Sequence, residues 1–241
     1  MKADYHRFIL DQIQRGANKA TRHTFLDGYL GNSHPRYAID NPTLRAIARE
    51  FMKSHVNMTA DEFARLLTSL VQGKSGTEKM MAGILLDYSR LDQRKFKIRL
   101  FDDWLNELEG WAEIDTLCTS KYARSEILAQ WQDWERLLKK FSRSKDIGKR
   151  RASLVFLCVP TRYSQVPELA DLAFENIERL SGDRDILITK AISWLLRSMI
   201  KLYRNEVMSF VKKHEASLPA IAVRETRTKL STGVKSKRNS G

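Results

Sequence analysis

The sequence predicts an all-α protein, and three observations lead to that prediction. The 241 residues include 11 glycines and 5 prolines, a composition that favours helices over strands and turns. Nearly every segment carries apolar residues at helical spacing. A short pattern, in which a long or basic residue is followed by alanine and then by apolar residues, recurs along the chain and indicates a repeated helical unit.

Apolar spacing and end signals predict the individual helices in order. The first two cover residues 4–15 and 17–30, and a loop follows at 31–40. Asn41-Pro42 begins the next helix, since proline in the first turn loses no helical hydrogen bond. Thr59 with Glu62 and Ser75 with Glu78 each fit a capping box and predict helix starts near 60 and 76. The later predicted helices are 93–108, 111–130, 132–144, 147–158, 166–180, 184–202, 205–215 and 219–230.

The recurring pattern has a period typical of helical hairpins. It occurs at Arg45-Ala46, Met81-Ala82, Arg151-Ala152 and Lys190-Ala191, at intervals of 36, 70 and 39 residues. Because the middle interval is about two periods, we predict an α-solenoid of stacked HEAT-like hairpins, whose repeat is usually roughly 40 residues. Second helices of successive hairpins line a concave face in such a stack. We predict one repeat domain over 1–230 and a basic, disordered tail over 231–241.

Charge points to a polyanionic partner. Lysine and arginine number 42 against 29 acidic residues, which gives a net charge of +13 and a pI near 9.8. Seven basic residues fall between 139 and 151, and the excess continues into the C-terminal helices. A basic run also suits a merely solvated face. Because this one persists through the repeats, we predict a basic concave face that binds nucleic acid through its phosphates.

Several classes of protein are disfavoured. No apolar run reaches the roughly 18 residues that span a membrane, and the N-terminus does not resemble a signal peptide, so we expect a cytoplasmic protein with no membrane partner. Cys118 and Cys158 fall in apolar helical patterns and are expected to be buried free thiols. The histidines lack metal-ligand spacing, and Thr68 stands where a phosphate loop ending at Gly73-Lys74-Ser75 needs glycine. We therefore expect no metal and no small-molecule cofactor.

Chemistry must then come from carboxylates, aromatic rings and basic residues. Trp111 and Asp115 are four residues apart, so a helix would present an indole and a carboxylate on one face. Arg151 lies about one repeat period further on. The three could serve a cationic base, a developing positive charge on a sugar, and a phosphate. Taken alone, the tryptophan and the aspartate also suit a core aromatic and a capping acid.

Four stretches in order resemble the AlkD-type alkylpurine DNA glycosylases, a family of HEAT-like repeat proteins for DNA alkylation repair. The likeness covers roughly residues 5–230, and Ala112 and Glu113 depart from the family's usual residues. The stretches are Tyr29-Leu30-Gly31-Asn32-Ser33-His34-Pro35 with Pro42-Thr43-Leu44-Arg45, Trp111-Ala112-Glu113-Ile114-Asp115, Arg151-Ala152, and Lys190-Ala191-Ile192-Ser193-Trp194-Leu195-Leu196-Arg197.

The resemblance implies a role for each matching residue. Asp115 would face the damaged nucleotide, Trp111 and Trp194 would lie against its sugar, and Arg151 would hold phosphates. We add four basic neighbours to the expected DNA contacts: Lys149, Arg150, Lys190 and Arg197. The expected activity is hydrolysis of the N-glycosidic bond of N3- or N7-alkylated purines in duplex DNA by a monomer, with the lesion still in the base stack.

Two other functions fit the same sequence. One is a catalytically silent HEAT-like protein that binds branched or bent DNA, for which Asp115 is the discriminating residue. The other is a protein-scaffolding solenoid that binds a partner peptide in its groove. A scaffold predicts weak DNA binding with little dependence on salt.

Overall fold

The computed structural model describes residues 4–17, 20–21 and 31–235, and in these ranges the protein is all-α, as the sequence predicts. The chain forms two compact units, Met1–Tyr122 and Ala123–Gly241. The single repeat domain expected over 1–230 stays a prediction. In the described part of the chain, no helix is long and apolar enough to cross a membrane.

The described residues of the first unit form six complete helices and a short β-ladder. Strands β1 (Ala20–Thr21) and β2 (Arg36–Tyr37) pair antiparallel, with Ala20 opposite Tyr37 and Thr21 opposite Arg36. The helices are α1 (Tyr5–Gly16), α2 (Asn41–Ser54), α3 (Ala60–Val71), α4 (Gly76–Tyr88), α5 (Leu100–Leu105) and α6 (Gly110–Cys118). Helix α7 (Lys121–Ala129) begins at the end of the first unit and continues into the second.

Local signals start the helices of this unit where the sequence predicts. Asp40 caps α2, its carboxylate accepting the backbone N–H of Thr43 at 2.8 Å, with Pro42 in the first turn. Both predicted capping boxes are confirmed, at the starts of α3 and α4. Second helices then stack: α4 packs between α2 and α6, while α1 packs on α3. The apolar core includes Phe63, Leu67 and Trp104.

The second unit repeats this arrangement of hairpins. Its helices are α8 (Trp131–Ser142), α9 (Ile147–Cys158), α10 (Pro160–Tyr163), α11 (Pro167–Leu180), α12 (Ile186–Met199), α13 (Arg204–Lys213) and α14 (Ala220–Thr232). Here α12 packs between α9 and α14, and α8 packs on α11. All four recurring alanine motifs therefore lie on second helices, namely α2, α4, α9 and α12. Both cysteines are buried free thiols, as predicted.

Several predicted boundaries are wrong. Part of the helix expected over 17–30 is the strand Ala20–Thr21, and 22–30 lies outside the described residues. The loop expected at 31–40 contains β2, and the helix expected over 93–108 is reduced to α5. The helix expected over 111–130 is two helices, α6 and α7. The last helix continues past the predicted 230 to Thr232 and ends at Gly233, whose φ is 75°.

A glycine sets the closest contact between α4 and α6. A Cβ built on Gly83 would lie 2.5 Å from the carbonyl carbon and oxygen of Thr116 and 2.6 Å from the nitrogen of Leu117. These are backbone atoms, so no rotamer change can relieve the overlap. The contact between Gly83 and the backbone of Thr116 therefore determines how closely α6 approaches α4. Helix α6 carries Trp111 and Asp115.

Gly83→Ala is expected to destabilise the protein. Alanine in a helix interior normally gains about 1 kcal/mol over glycine, but forcing two backbones apart costs typically 1–3 kcal/mol or more, so the overlap outweighs the gain. Urea unfolding measures the difference. The matched control is Gly182→Ala, whose added Cβ would meet nothing within 4 Å. Equal stability of the Gly83→Ala and Gly182→Ala variants would contradict the close approach.

Candidate functional site

The predicted tryptophan and aspartate share one face of α6. The helix begins at Gly110, whose φ of 62° favours glycine. Trp111 lies in the first turn with 39% of its surface exposed, and Asp115 lies one turn later with 8% exposed. The side-chain hydroxyl and the backbone N–H of Thr119 both donate to the backbone carbonyl of Asp115, at 2.7 and 2.9 Å. An accessible indole thus stands beside a largely desolvated carboxylate, and the roles of both residues stay predictions.

Glu113 anchors the opposite face of the same helix. Two residues from both Trp111 and Asp115, it points about half a turn away from them, and its side chain is fully buried. One carboxylate oxygen accepts the backbone N–H of Glu109 at 2.8 Å, and the His34 Nδ1 lies 3.0 Å from the other. The hydrogen bonds fasten the start of α6 to the loop before β2.

Burial dominates the electrostatics of this anchor. It raises the pKa of Glu113 above its ordinary value, against the opposing effects of the Glu109 N–H, His34 and the Lys79 ammonium. Lys79 is itself buried, and its ammonium donates to the carbonyls of Val71, at 2.6 Å, and Glu107, at 2.9 Å. The lysine therefore joins the end of α3 to the turn before α6.

The stability of the Glu113→Gln variant, relative to the natural protein, is expected to improve as pH rises. Because folding raises the pKa of Glu113, the folded state binds the proton of this carboxyl group more tightly than the unfolded state does. The natural protein therefore loses stability as pH rises from about 4.5 through the folded pKa. Glutamine does not titrate, so the natural protein minus the variant should show a falling difference in free energy of unfolding between pH 5 and 8. Glu107→Gln, at an exposed glutamate, is the control. A difference independent of pH would contradict the assignment.

The predicted arginine of the second unit is buried at a helix contact. Arg151 lies in the first half of α9, has 4% of its surface exposed, and donates from Nη1 to the carbonyl of Leu187 in the first turn of α12. The structure thus shows Arg151 joining two second helices. Its expected contact with phosphates stays a prediction.

Three predicted residues line one face of α12. Lys190, Trp194 and Arg197 follow one another at helical spacing, and each is partly exposed. The Arg197 Nε donates to Ser193 Oγ at 3.2 Å and lies 3.4 Å from a carboxylate oxygen of Glu225. The structure therefore places an indole between a lysine and an ion-paired arginine.

The two remaining basic predictions differ in their surroundings. The guanidinium of Arg150 makes hydrogen bonds within the protein. Its Nε donates to Asp183 at 3.0 Å, and its Nη1 donates to the carbonyls of Ser144, at 3.1 Å, and Lys145, at 2.7 Å. Lys149 is partly exposed and lines a cavity of 590 Å³ with Arg136, Lys139, Lys140, Phe141, Arg143 and Ser144. The cavity is lined by five cationic side chains, which is compatible with an anionic ligand.

Each unit thus brings predicted residues together on its own second helices. The first unit brings together Trp111 and Asp115, and the second brings together Lys190, Trp194 and Arg197. Sequence reasoning noted Glu113 only as a departure from the family. Its burial could have been predicted from its position, because Glu113 lies on the same face of α6 as the apolar Leu117. A charged residue on a buried face needs a partner.

In the described ranges, no group of three or more histidine, cysteine, aspartate or glutamate residues is arranged to hold a metal ion. Side chains able to serve a substrate here are carboxylate, indole, guanidinium and ammonium groups. Such a set can stabilise positive charge on one reacting group and bind negative charge on another.

Comparison with known proteins gives one family and one fold. The family model for DNA alkylation repair enzymes matches residues 9–230. A solved structure described as a predicted DNA alkylation repair enzyme from Enterococcus faecalis has a TM-score of 0.70 and 16% sequence identity, over 89% of this chain and 100% of that one. At this identity, the structural likeness bears on the fold alone. No curated protein matches.

Proposed function

The chain belongs to the DNA alkylation repair enzyme family, and from that premise we propose that it is a monofunctional DNA glycosylase for cationic N3- or N7-alkylated purines in duplex DNA. One observation carries the proposal. Helix α6 carries the exposed Trp111 and, one turn away, the buried Asp115. A binding module that reads only phosphates has no use for a carboxylate at its nucleic-acid face.

The reaction suits these groups. When the bond between C1′ and N9 of the alkylated purine breaks, its electron pair goes to the base, which loses its positive charge and leaves neutral. The sugar becomes an oxocarbenium-like cation, and water adds to C1′ and releases a proton. A desolvated carboxylate stabilises that cation and can orient the water. Trp111 and Trp194 would lie against the sugar, since an indole face favours a desolvated cation by about 2 kcal/mol.

DNA would be held through its phosphates. The chain carries a net charge of +13, and partly exposed cations lie on α9 and α12, including Lys149 and Lys190. Guanidinium and ammonium groups on phosphates position a duplex without reading its sequence. In this proposal Asp115 serves the reacting nucleotide, Arg151 contacts a phosphate, and the protein acts as a monomer without a cofactor.

The test is release of free base from a duplex with N7-methylguanine at one position, using purified protein in excess. Release well above the spontaneous rate of the same duplex without protein is expected. Salt-dependent DNA binding without release would instead identify a catalytically silent binding protein. Weak binding with little dependence on salt would identify a protein scaffold and contradict both DNA functions.

A further inference from the structure

A cluster of cations lies in the second unit, one turn beyond Trp194. Arg162, at the end of α10, donates from Nη2 to the hydroxyl of Ser198 at 3.1 Å. The Lys229 ammonium on α14 donates to the carbonyl of Arg197 at 2.9 Å. Three helices thus bring Arg162, Arg197 and Lys229 to the last turns of α12, and we call these three residues the cation cluster.

The charges of the cation cluster do not cancel. Among the described residues, Glu225 is the carboxylate that contacts it: one oxygen of Glu225 accepts from Ser193 Oγ at 2.6 Å and lies 3.4 Å from Arg197 Nε. The other oxygen lies 3.6 Å from the ammonium of Lys235, a further cation. One carboxylate therefore faces an excess of positive charge.

The excess is held partly out of water. Arg197 has 14% of its side chain exposed and Glu225 has 17%, while Arg162 and Lys229 are both half-buried. Burial lowers the pKa of Lys229, and repulsion by Arg162 and Arg197 lowers it further. Burial also lowers the pKa of Arg197 despite the opposing effect of the Glu225 carboxylate, and Arg162 contributes to the lowering. These cations therefore destabilise one another.

A purely structural network would be better balanced. The hydroxyls of Ser193 and Ser198 and the carbonyl of Arg197 give each cation a partner, yet none of these neutral groups offsets its charge. An anion bound among the cations would relieve their repulsion and gain charge-assisted hydrogen bonds. The arrangement therefore favours an oxyanion ligand with oxygens that can accept from several donors.

We propose that Arg162, Arg197 and Lys229 form a binding site for a DNA backbone phosphate, separate from the predicted group of Trp111, Asp115 and Arg151. This rests on the proposed function, in which Trp194 lies against the sugar of the damaged nucleotide. Ser198 follows Trp194 by four residues, or about 6 Å along α12. The cluster would then hold the strand next to the lesion.

The experiment measures binding to an undamaged duplex as a function of salt. Lys229→Met is expected to reduce the log–log slope by up to about 0.9, the contribution of one phosphate contact, and Arg162→Met with Lys229→Met by no more than the same amount, because the cluster holds one phosphate. Lys229→Arg should keep the natural slope, because it keeps the charge. The control is Lys213→Met. It removes one exposed positive charge from the same unit, on helix α13, which contributes no residue to the cation cluster. An equal reduction in slope for Lys213→Met and Lys229→Met would overturn the site.

A second measurement uses the unmodified protein and does not depend on the folding of a variant. The pKa of Lys229, followed by NMR at its ammonium nitrogen, is expected to rise when the undamaged duplex is added. No rise would overturn the proposal, and a rise with inorganic phosphate but not with duplex would overturn the assignment to DNA. Neither readout requires base release. A protein that releases no base yet shows these changes supports the site while contradicting the proposed function.

Discussion

Asp115→Asn is expected to lower release of N7-methylguanine from duplex DNA by about 100-fold or more, the scale for one preorganised electrostatic group. Asparagine matches aspartate in size and can still bind water, so the change removes mainly the negative charge. That charge acts on the oxocarbenium-like sugar and hardly on the substrate, because the substrate's positive charge resides on the base. Asp115 is 8% exposed, and in such surroundings an opposite charge acts more strongly than it does in water.

The same variant should bind undamaged DNA nearly as well as the natural protein. A carboxylate beside phosphates contributes nothing favourable to affinity, so its loss leaves binding unchanged or slightly improved. Single-turnover release and duplex affinity are measured side by side, with Asp103→Asn, at an exposed aspartate of the same unit, as the control. If Asp115→Asn releases base at the natural rate, Asp115 is a structural residue and the proposed mechanism is wrong.

The helical hairpins were predictable because their signal is local and repeated. The alanine motifs at Ala46, Ala82, Ala152 and Ala191 mark second helices. Helix starts were equally readable at Thr59 and Ser75, since each capping box lies within four residues. Sequence spacing sufficed wherever the stabilising contact was short-range.

Distant contacts caused the wrong boundaries. The predicted helix over 111–130 breaks because Asp87, far earlier in the chain, accepts the backbone N–H of Lys121 at 2.9 Å and starts α7 there. The helix predicted from 93 begins only at 100. Arg94 is buried against the hydroxyl of Ser89, at 2.8 Å, and the Gln93 amide donates to the carbonyl of His55 at 3.2 Å. Such partners override helical propensity and leave no local signal.

The site was predictable in part for the same reason. The four-residue spacing of Trp111 and Asp115 placed both on one face of a helix, and the structure agrees. Spacing did not reveal that Arg151 is buried and donates to the carbonyl of Leu187. It also did not reveal the hydrogen bond between His34 and Glu113 on the opposite face of α6. The cation cluster was also hidden, because its members come from three separate helices. Of the three, Arg197 alone was among the predicted DNA contacts.

The lesions released should be those that already carry positive charge. A cationic purine is a good leaving group without protonation, whereas uracil or hypoxanthine needs a proton delivered as the bond breaks. The proposed reacting groups, Asp115, Trp111 and Trp194, include no general acid. The raised pKa of Glu113 would suit an acid, but this side chain is fully buried on the opposite face of α6 and cannot reach a base there.

Parallel incubations of duplexes with N7-methylguanine, uracil or hypoxanthine test this expectation. Release of N7-methylguanine is expected, with the neutral bases left in place. Borohydride should trap no covalent adduct, since no lysine belongs to the proposed reacting groups, and the strand should remain uncut. The ammonium of the buried Lys79 donates to the carbonyls of Val71 and Glu107, so this lysine is unsuited to attack a sugar. Comparable release of uracil, or a trapped adduct, would show that an acid or an amine takes part and would overturn the roles given to Asp115 and the tryptophans.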